Sequence, residues 1–400
     1  FTFFRSRPSA GEGALRLAPI SSLQAQAPAS WEGVVKSAVS LLSRDAQELT
    51  IAVKGREVSD GVEDYWALRL TGCQMAAVSD DARERTWVPL EALGFFDEVS
   101  GGWPRVYGGV LELVLKDRPS PLVKVKEVNG VRIWAKLEWY NPLSLSIKDR
   151  TAVGLVEPMI DAVRRAGAVY EASSSNTAVA LAALSRVFGF RVRAYIPATA
   201  EPFGEQMVRL LGGDVVRGGA STTELRPLVR ADAEREGAIV LNQFENYLNP
   251  LAHIRWTAKE IDYQSRVGGL RLKAVYVTMG TRGHAAGVST YFRLRRPDVE
   301  VVGVQPSEGS SIPGLRREAS WTWGLLPPPT RVVEVSDDDA VRASLSIARE
   351  AGLLFGPSGG AAAWAAIRDA QERRDEGDYV IVVPDHGVKY LRLYMERLGA

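Results

Sequence analysis

The stretch NPLSLSIKDR, from Asn141 to Arg150, places a single lysine among a proline, two serines and an aspartate. The run before it, VRIWAKLEWY, has the apolar character of a strand, and the run after it, TAVGLVEPMIDAVRRAG, has helical spacing. An anion-binding site is the usual feature of such a junction, because the first N–H groups of the helix are free. Lys148 is therefore either a solvated loop lysine or a functional group, and the rest of the chain has to decide.

The composition restricts the class of protein. At 400 residues and 46% hydrophobic content, the chain is long enough for two domains with a large core. Its 49 basic and 48 acidic residues nearly cancel, giving a net charge of +1, and no basic run favours nucleic acid or an anionic membrane. No stretch of 18 apolar residues occurs, so we expect no membrane partner.

Cysteine, histidine and lysine are scarce. Cys73 is the only cysteine and cannot form an internal disulfide, which favours a reducing compartment and a cytoplasmic protein. With only three histidines besides, we expect no metal site. Ten lysines stand against 39 arginines, so a lysine in an unusual setting is less expected to be surface filler. The chain opens with FTFFRSRPSA and no methionine, which leaves its natural start and any targeting segment open.

The alternation of elements predicts an α/β fold. Residues 30–46 and 87–98 have helical patterns and DYWALRLTG has that of a strand. We therefore expect residues 1–108 to form a small N-terminal α+β extension that ends where SGGWPRVYGG breaks the pattern. From Pro121 onward, apolar strands alternate with helices in two series, which predicts two doubly wound parallel-sheet domains. The predicted strands lie in VRIWAKLEWY, AVYEASSS, FRVRAYIPAT, DVVRGG, AIVLNQF, LKAVYVTMG, VEVVGVQP and YVIVVPDHG. We expect a larger domain from residues 109–150 and 255–400 and a smaller one from residues 151–254. In such sheets ligands bind beyond the carboxyl ends of the strands.

Two loops at predicted strand ends suit anionic ligands. TMGTRGHAAG, Thr278 to Gly287, joins a strand to a helix through glycines, which either admit a phosphate or simply form a tight turn. It lacks the P-loop lysine and the full dinucleotide fingerprint. SSSNTA, Ser173 to Ala178, offers several hydroxyls and an amide. Helix capping explains one or two of the hydroxyls, and the surplus suits a carboxylate.

Two further segments have competing interpretations. GPSGG, Gly356 to Gly360, stands before the predicted helix AAAWAAIRDA and matches the G-x-S-x-G turn of α/β-hydrolases. Asp385 and His386 follow it in the chain. We reject this match because an acid and a histidine that are neighbours in sequence cannot easily face each other, and too few strands follow the turn. SIPGLRRE places Arg316 and Arg317 in a loop, either as a solvated pair or as a fork for a phosphate or carboxylate.

Taken together, these segments resemble a known family. The fold-type-II pyridoxal-phosphate enzymes, specifically the cysteine synthases and the O-phosphoserine sulfhydrylases among them, carry similar motifs in the same order as KLEWYNPLSLSIKDR, SSSNTAVAL, LNQF, GTRGH, SIPGLRR, GPSGGAA and VVPDHGVKYL. The resemblance runs from about Pro121 to Leu391. It implies the tryptophan synthase β-like fold, pyridoxal 5′-phosphate as the cofactor, and a homodimer.

The resemblance also implies roles for individual residues. Lys148 falls on the catalytic lysine that binds the cofactor as a Schiff base. The implied cofactor-binding residues are Asn176 at the 3′ oxygen, Ser358 at the pyridine nitrogen, and the phosphate loop of Gly280, Thr281, Arg282, Gly283 and His284. The implied substrate-binding residues are Ser173, Ser174, Thr177, Gln243 and Phe244 around the carboxylate, and Arg316 at a substrate phosphate.

Three residues depart from the family's pattern. Arg282 stands where a small serine is usual, and Ser173 and His386 stand where threonine is usual. Serine keeps the hydroxyl of threonine and is a mild change. Arg282 either adds a long cation beside the cofactor phosphate or points outward.

The implied reaction is a β-replacement. O-phospho-L-serine, or alternatively O-acetyl-L-serine, loses its leaving group to give an aminoacrylate, and sulfide then adds to form L-cysteine, so that the enzyme is a transferase. A reaction of the cystathionine β-synthase, serine dehydratase or threonine synthase type is the alternative within the fold, and a non-catalytic scaffold is the alternative outside enzymes. The resemblance leaves open whether sulfur arrives as free sulfide or on a sulfur-carrier protein.

Overall fold

The computed structural model describes residues 105–317, 320–373 and 376–399, together with three strands nearer the beginning of the chain. The chain divides into two compact units, Phe1–Pro89 and Leu90–Ala400. In the first unit, an antiparallel sheet is formed by β1 (Thr2–Phe4), β2 (Glu48–Lys54) and β3 (Tyr65–Thr71), in that order. The strand predicted in DYWALRLTG is therefore confirmed, whereas the helices predicted at residues 30–46 and 87–98 lie outside the described residues.

The second unit alternates strands and helices. Its strands are β4 (Leu122–Val128), β5 (Val131–Leu137), β6 (Ala168–Ala172), β7 (Arg191–Pro197), β8 (Asp214–Gly218), β9 (Ile239–Val240), β10 (Leu272–Thr278), β11 (Glu300–Pro306), β12 (Arg331–Val335) and β13 (Gly377–Val383). Its helices are α1 (Val110–Lys116), α2 (Lys148–Val156), α3 (Ile160–Ala166), α4 (Asn176–Phe188), α5 (Pro202–Leu210), α6 (Thr222–Glu236), α7 (Leu248–Ala252), α8 (Lys259–Val267), α9 (Gly283–Arg295), α10 (Asp337–Ala351), α11 (Pro357–Arg373) and α12 (Leu391–Leu398). A π-helical segment, His253–Ala258, joins α7 to α8. Among the helices that the structure describes, none has the length and apolar character needed to cross a membrane.

The larger sheet has six strands in the order β12-β11-β10-β13-β5-β4. β4 runs antiparallel to β5, and all other neighbours are parallel. β13 is buried along its whole length, as expected for a strand covered on both faces. Tyr379 and Ile381 pack on one face with the alanines of α11, and Val380 and Val382 pack on the other with residues of α9. Side chains that alternate along one strand thus contribute to two separate cores.

The smaller sheet has four parallel strands in the order β8-β7-β6-β9. Its two faces are covered in the same way: Val179 of α4 packs near Ile196, and Val229 of α6 packs near Tyr170. α4 ends where Gly189 takes a left-handed φ of 78°. These two sheets confirm the predicted α/β fold with doubly wound parallel sheets. The predicted boundaries at residues 108, 150 and 254 remain predictions.

Some elements differ from the sequence prediction. β4, β12 and α10 have no counterpart in it. The strand predicted in AIVLNQF is only two residues long, Ile239–Val240. Asn242 takes a left-handed φ of 53°, and its N–H donates to the carboxylate of Glu171 at 2.8 Å. The carboxylate of Glu171 therefore takes the place of a neighbouring strand as the hydrogen-bond partner of this N–H, and β9 ends before Asn242.

The order of the strands brings the predicted functional segments to one edge. β5, β13 and β10 are parallel neighbours, so their carboxyl ends lie side by side. Lys148 follows β5, Asp385 follows β13, and Gly280 follows β10. In the smaller sheet, Ser173 and Gln243 follow the neighbouring strands β6 and β9.

Candidate active site

Lys148 is the first residue of α2, at the end of the loop that follows β5. Its N–H donates to the hydroxyl of Ser146 at 3.1 Å. The carboxylate of Asp149 accepts the N–H groups of Leu143 at 2.6 Å and of Ser144 at 2.8 Å, and so closes the loop on itself. Burial raises the pKa of Asp149 to about 6. These hydrogen bonds therefore hold the backbone of Lys148 in a fixed position.

The amine of Lys148 has a pKa suited to proton transfer. The side chain is half-buried, and burial lowers its pKa from 10.5 to about 8. The ammonium of Lys389 acts in the same direction as burial, and the carboxylate of Asp385 opposes it. A lysine with this pKa is partly neutral near that pH, as a nucleophile or a general base must be.

The segment after β13 packs against the loop that leads to Lys148, residues 141–147, which is called the lysine loop below. The N–H of Ile147 donates to the carbonyl of Pro384 at 2.9 Å, and Ser146 and Asp385 form a β-bridge. Oδ2 of Asp385 accepts the hydroxyl of Tyr390 at 2.7 Å. Oδ1 of the same carboxylate is buried without a hydrogen-bond partner among the described residues. Within the described ranges, only one of the two carboxylate oxygens of Asp385 therefore has a hydrogen-bond partner, and the charge of this carboxylate acts on the amine of Lys148.

Asn176 joins the smaller sheet to this cluster. It is the first residue of α4, directly after the loop that follows β6. Its Nδ2 donates to Asp385 at 2.7 Å, and its Oδ1 accepts from the ammonium of Lys389 at 2.7 Å. The residue predicted to contact the 3′ oxygen of the cofactor thus lies beside the segments that adjoin Lys148.

The glycine turn between β10 and α9 is built for close approach. A Cβ at Gly280 would lie 2.3 Å from the carbonyl oxygen of Gly314, and a Cβ at Gly283 would lie 2.3 Å from the side chain of Asn249. Arg282 takes a left-handed φ of 63° immediately before the helix. Larger residues at either glycine would therefore displace a neighbouring loop.

His284, in the first turn of α9, carries an unsatisfied nitrogen. The residue is 6% exposed, and its Nε2 is buried without a hydrogen-bond partner in the described part of the chain. Burial lowers its pKa to about 3, and the charge of Lys148 acts in the same direction. The N-terminus of a helix attracts anions through its free N–H groups. A buried nitrogen at that terminus therefore suits a phosphate oxygen.

Arg282 is directed toward the loop that follows β11. Its Nη1 donates to the carbonyl of Ser320, and Nε1 of Trp323 in the same loop donates to the carbonyl of Thr281 at 3.0 Å. Trp323 is 1% exposed and packs against Tyr247. Arg282 is 3% exposed, so the alternative of a side chain that points outward is wrong, and the contact with Ser320 anchors this loop. Its place beside the cofactor phosphate remains a prediction.

The loop after β6 and the end of β9 meet through side chains. The hydroxyl of Ser173 accepts the N–H groups of Ser175 at 3.3 Å and of Ala178 at 3.2 Å, and so caps α4. The hydroxyl of Thr177 donates to Oε1 of Gln243 at 2.8 Å. Three of the residues predicted around the substrate carboxylate thus cluster at one edge, and capping accounts for one of the hydroxyls.

Phe244 and Arg316 extend this cluster. The guanidinium carbon of Arg316 lies 4.6 Å from the centre of the Phe244 ring, and its Nη1 lies 3.3 Å from the hydroxyl of Thr223. The backbone N–H of Arg316 donates to the carbonyl of Met279 at 2.9 Å, next to the glycine turn. Ser174, by contrast, has an exposed side chain.

Ser358 lies in the first turn of α11 and is 4% exposed. The sequence placed GPSGG before the helix, but the helix already begins at Pro357, because proline is favourable at a first helical position. Nδ1 of His386 accepts the N–H of Val388 at 3.0 Å, and the carboxylate of Asp385 is engaged elsewhere. This arrangement agrees with the rejection of a hydrolase triad.

The sequence reasoning missed two residues that tie the site together. Nδ2 of Asn249 donates to the carbonyl of Gln243 at 2.7 Å and to the hydroxyl of Thr281 at 3.1 Å. Asn249 therefore links the segment after β9 to the glycine turn. Lys389 links the lysine loop to Asn176. The only sequence signal for Lys389 is its place in the motif VVPDHGVKYL, and Asn249 has no comparable signal.

Comparisons with known proteins identify the family. A profile of the family described as pyridoxal-phosphate dependent enzymes matches residues 114–385. The chain belongs to this family. Cysteine synthase B of Escherichia coli is 33% identical to it over 288 residues, which cover 68% of this chain and 91% of that protein. Cysteine synthase of Staphylococcus aureus is 28% identical over 289 residues, which cover 68% of this chain and 92% of that protein.

Solved structures of two enzymes are also similar to this chain. O-ureido-L-serine synthase matches with a TM-score of 0.64 and 25% identity, over 73% of this chain and 96% of that chain. Cysteine synthase of Entamoeba histolytica matches with a TM-score of 0.62 and 26% identity, over 74% and 92%. The resemblance to the cysteine synthases and the cofactor predicted from the sequence are thereby confirmed: this pyridoxal-phosphate enzyme is similar to the cysteine synthases.

The residues present fit pyridoxal phosphate. Lys148 supplies an amine of lowered pKa for the aldehyde. The buried Nε2 of His284, together with the free N–H groups of the helix start, suits the phosphate. Asn176 and Ser358 supply an amide and a hydroxyl at the same edge of the sheets. The buried Nε2 of His284, which has no hydrogen-bond partner among the described residues, is the observation that fits an anionic ligand most directly.

Proposed function

We propose that this enzyme forms L-cysteine from O-phospho-L-serine and sulfide by β-replacement, and is therefore a transferase. Its similarity to cysteine synthases supports the formation of cysteine. Arg316 supports O-phosphoserine as the substrate, because its guanidinium stands beside Phe244 and Thr223. A phosphate ester is anionic and accepts paired bonds from an arginine, whereas an acetyl ester is neutral. The position of Arg316 is the observation that carries this choice.

Lys148 acts as nucleophile and base in this proposal. Pyridoxal phosphate, when bound, withdraws electrons from the Cα atom of an amino acid and so favours loss of its proton and of its Cβ substituent. The ε-nitrogen of Lys148 binds the aldehyde in the resting enzyme and takes up the Cα proton once it is free. Its pKa of about 8 suits both tasks.

The surrounding residues bind and orient. We assign the cofactor phosphate to Gly280, Thr281, Gly283 and His284, its 3′ oxygen to Asn176, and its ring nitrogen to Ser358. Ser358 is neutral, so it leaves the ring a weaker electron acceptor than a carboxylate would, which favours elimination over transamination. We assign the substrate carboxylate to Ser173, Ser174, Thr177 and Gln243, with Phe244 beside them, and the developing charge of the leaving phosphate to Arg316.

Three further features follow from the same resemblance. We propose that the enzyme is a homodimer and that it works in the cytoplasm. Sulfide is the simplest sulfur donor, and a sulfur-carrier protein is the alternative.

A product assay tests the proposal. The purified protein with pyridoxal phosphate is given O-phosphoserine or O-acetylserine, with sulfide, with homocysteine, or with no nucleophile. We expect cysteine from O-phosphoserine and sulfide, with kcat/KM about tenfold or more above that for O-acetylserine. Cystathionine as the preferred product, or pyruvate as the main product in the presence of sulfide, would assign the enzyme to another reaction of the same fold. A protein that is colourless once unbound cofactor has been removed would favour a non-catalytic scaffold.

A further inference from the structure

A buried lysine close to the end of the chain reaches the same site. Lys389 lies in the 3-10 turn Gly387–Tyr390, and its side chain is 2% exposed. Its ammonium donates to the carbonyls of Ser144 at 2.6 Å and Leu145 at 3.1 Å, and to Oδ1 of Asn176 at 2.7 Å. These three bonds match the three donors of an ammonium group.

The charge of Lys389 is held in a built environment. Burial lowers its pKa, and the carboxylates of Asp385 and Asp149 oppose that effect. The ammonium lies 3.9 Å from Asp385 and faces the ring of Phe203 at 5.5 Å from its centre. A buried ammonium persists only where its donors are satisfied and an anion lies near. Lys389 meets both conditions.

The two backbone partners fix the position of the ammonium. Leu145 takes a left-handed φ of 52°, which is unfavourable for a leucine, and its side chain is 45% exposed. The next residue, Ser146, pairs with the segment after β13. The carbonyls of Ser144 and Leu145 thus bind the ammonium from a loop that is itself anchored on the larger sheet.

The third partner, Asn176, is oriented by charge. An ammonium can only donate and a carboxylate can only accept, so Lys389 must face the amide oxygen and Asp385 the amide nitrogen. The two partners therefore determine which end of the amide carries the N–H groups. An amide nitrogen has two N–H bonds, and Asp385 accepts one of them. The second is the donor that a contact with the 3′ oxygen of the cofactor requires.

We propose that Lys389 is a positioning residue that holds the amide of Asn176 in the orientation that donates to the 3′ oxygen of pyridoxal phosphate. This inference rests on the proposed roles of Lys148 and Asn176. Without the ammonium, the amide oxygen loses its donor and Asp385 alone holds the amide, so the amide can turn away from the orientation that donates to the 3′ oxygen. Lys389 acts through Asn176 and has no contact with the reacting atoms in this proposal.

Cofactor binding by three variants tests the inference. Cofactor-free wild type, Lys389→Met, Asn176→Ala and the double variant are titrated with pyridoxal phosphate and with its 3-deoxy analogue, which lacks the oxygen in question. We expect each single substitution to weaken binding of pyridoxal phosphate by about tenfold, the loss of one hydrogen bond to a charged partner. Because the two residues act as one unit, we expect the double variant to bind within about twofold of Asn176→Ala. Binding of the 3-deoxy analogue should change less than about threefold in all of them.

Controls separate positioning from general damage. Lys116→Met alters a lysine that is 68% exposed, and we expect it to bind both compounds as the wild type does. Lys389→Arg keeps the charge and the donors and should recover most of the affinity, which a loss of packing does not explain. If Lys389→Met shows no cooperative thermal unfolding, Lys389→Gln takes its place with the same expected results.

Two results would overturn the inference: equal losses of affinity for the cofactor and its 3-deoxy analogue, or additive losses in the double variant. A different product in the assay described above leaves this comparison of cofactor affinities unaffected. Failure of the proposed role of Lys148, on which the inference rests, looks different. In that case the wild type itself would form no borohydride-reducible adduct at Lys148, whatever residue stands at position 389.

Discussion

The guanidinium of Arg316 stands 4.6 Å from the centre of the Phe244 ring. Arg316 belongs to the loop after β11 of the larger sheet, and Phe244 follows β9 of the smaller sheet. The contact therefore joins the loops of both sheets. Phe244 directly follows Gln243, whose side chain accepts a hydrogen bond from the hydroxyl of Thr177. In the proposed function, Gln243 binds the substrate carboxylate and Arg316 binds the anionic leaving group.

Replacing Arg316 with alanine tests its role in substrate choice. We expect kcat/KM for O-phosphoserine to fall by about tenfold or more, since a charge-assisted hydrogen bond contributes roughly 1.5–3 kcal/mol. The value for O-acetylserine should fall much less, because that substrate has no anionic ester group. Steady-state kinetics with both substrates and sulfide gives the comparison. Equal losses with the two substrates would contradict the assignment.

Arg317→Ala is the matched control. Arg317 is the next residue, pairs with Glu334 at 3.1 Å and is 47% exposed. An exposed ion pair contributes little, so we expect kcat/KM for either substrate to stay within about twofold of the wild type. A large selective loss in this variant instead would move the phosphate contact to the neighbouring arginine.

The pKa of Lys148 predicts how cofactor attachment depends on pH. Only the neutral amine attacks an aldehyde, and burial lowers the pKa of this amine to about 8. The rate of attachment to cofactor-free protein should therefore rise with pH to a midpoint of about 8 and then level off. Stopped-flow absorbance over a pH series measures it. A midpoint near 10.5, the ordinary lysine value, would show that burial does not act on this amine.

The same pKa has a consequence for stability. A lysine with a lowered pKa binds fewer protons when folded than when unfolded, between about 8 and 10.5. Lys148 alone therefore makes the free energy of unfolding of the cofactor-free protein increase as the pH rises through that range. Comparing the pH dependence of thermal unfolding in the wild type and in Lys148→Ala isolates this contribution, which should vanish in the variant.

The buried ion pairs that Arg150 forms should contribute strongly to the free energy of unfolding. Arg150 is fully buried, and it donates to Glu138 at 2.6 Å and to Glu260 at 2.5 Å. Arg150→Met removes the cation that pairs with the buried Glu138, while Glu260 keeps Lys136 at 2.7 Å, and we expect a loss of about 3–5 kcal/mol of unfolding free energy. Denaturant unfolding measures the loss. A change below about 1 kcal/mol would show that water or rearranged side chains replace the arginine.

An exposed pair provides the comparison for Arg150. Arg392 and Glu396 lie 2.8 Å apart on α12, with side chains 77% and 57% exposed. We expect Arg392→Met to change the unfolding free energy by no more than about 0.5 kcal/mol. Both variants remove one arginine, so the difference between them reports burial and not net charge.

Arg282→Ser restores the residue that is usual in the family's phosphate loop. Because the guanidinium binds the carbonyl of Ser320, we expect the unfolding free energy to fall by about 1–3 kcal/mol. Affinity for pyridoxal phosphate should stay within about threefold of the wild type, since the phosphate keeps its other partners. Arg293→Ser, an exposed position on the same helix, is the control. A loss of affinity of tenfold or more would place the guanidinium at the phosphate.

The elements that could be predicted from the sequence are those whose signal is local. The buried strands of the two sheets are apolar runs, and the glycine turn before His284 is a local requirement for close approach. Lys148 was recognised because it stands at a strand-to-helix junction within a familiar motif. The start of α11 was predicted too late: the sequence analysis places GPSGG before the helix, whereas Pro357 is already its first residue.

The residues that could not be predicted are defined by distant partners. Lys389 binds the carbonyl of Ser144, 245 positions away in the sequence. The N–H of Asn242 donates to the carboxylate of Glu171, 71 positions away, and β9 therefore ends after two residues. Hydrophobic periodicity reports which face of an element is buried and carries no information about which polar groups meet across loops.

The attachment site of the cofactor tests the central claim most directly. The protein is mixed with pyridoxal phosphate and reduced with borohydride, and the modified peptide is identified by mass spectrometry. We predict a single adduct on Lys148, which is lost in Lys148→Ala although that variant still unfolds cooperatively. An adduct on another of the ten lysines, or none at all in the folded wild type, would contradict it.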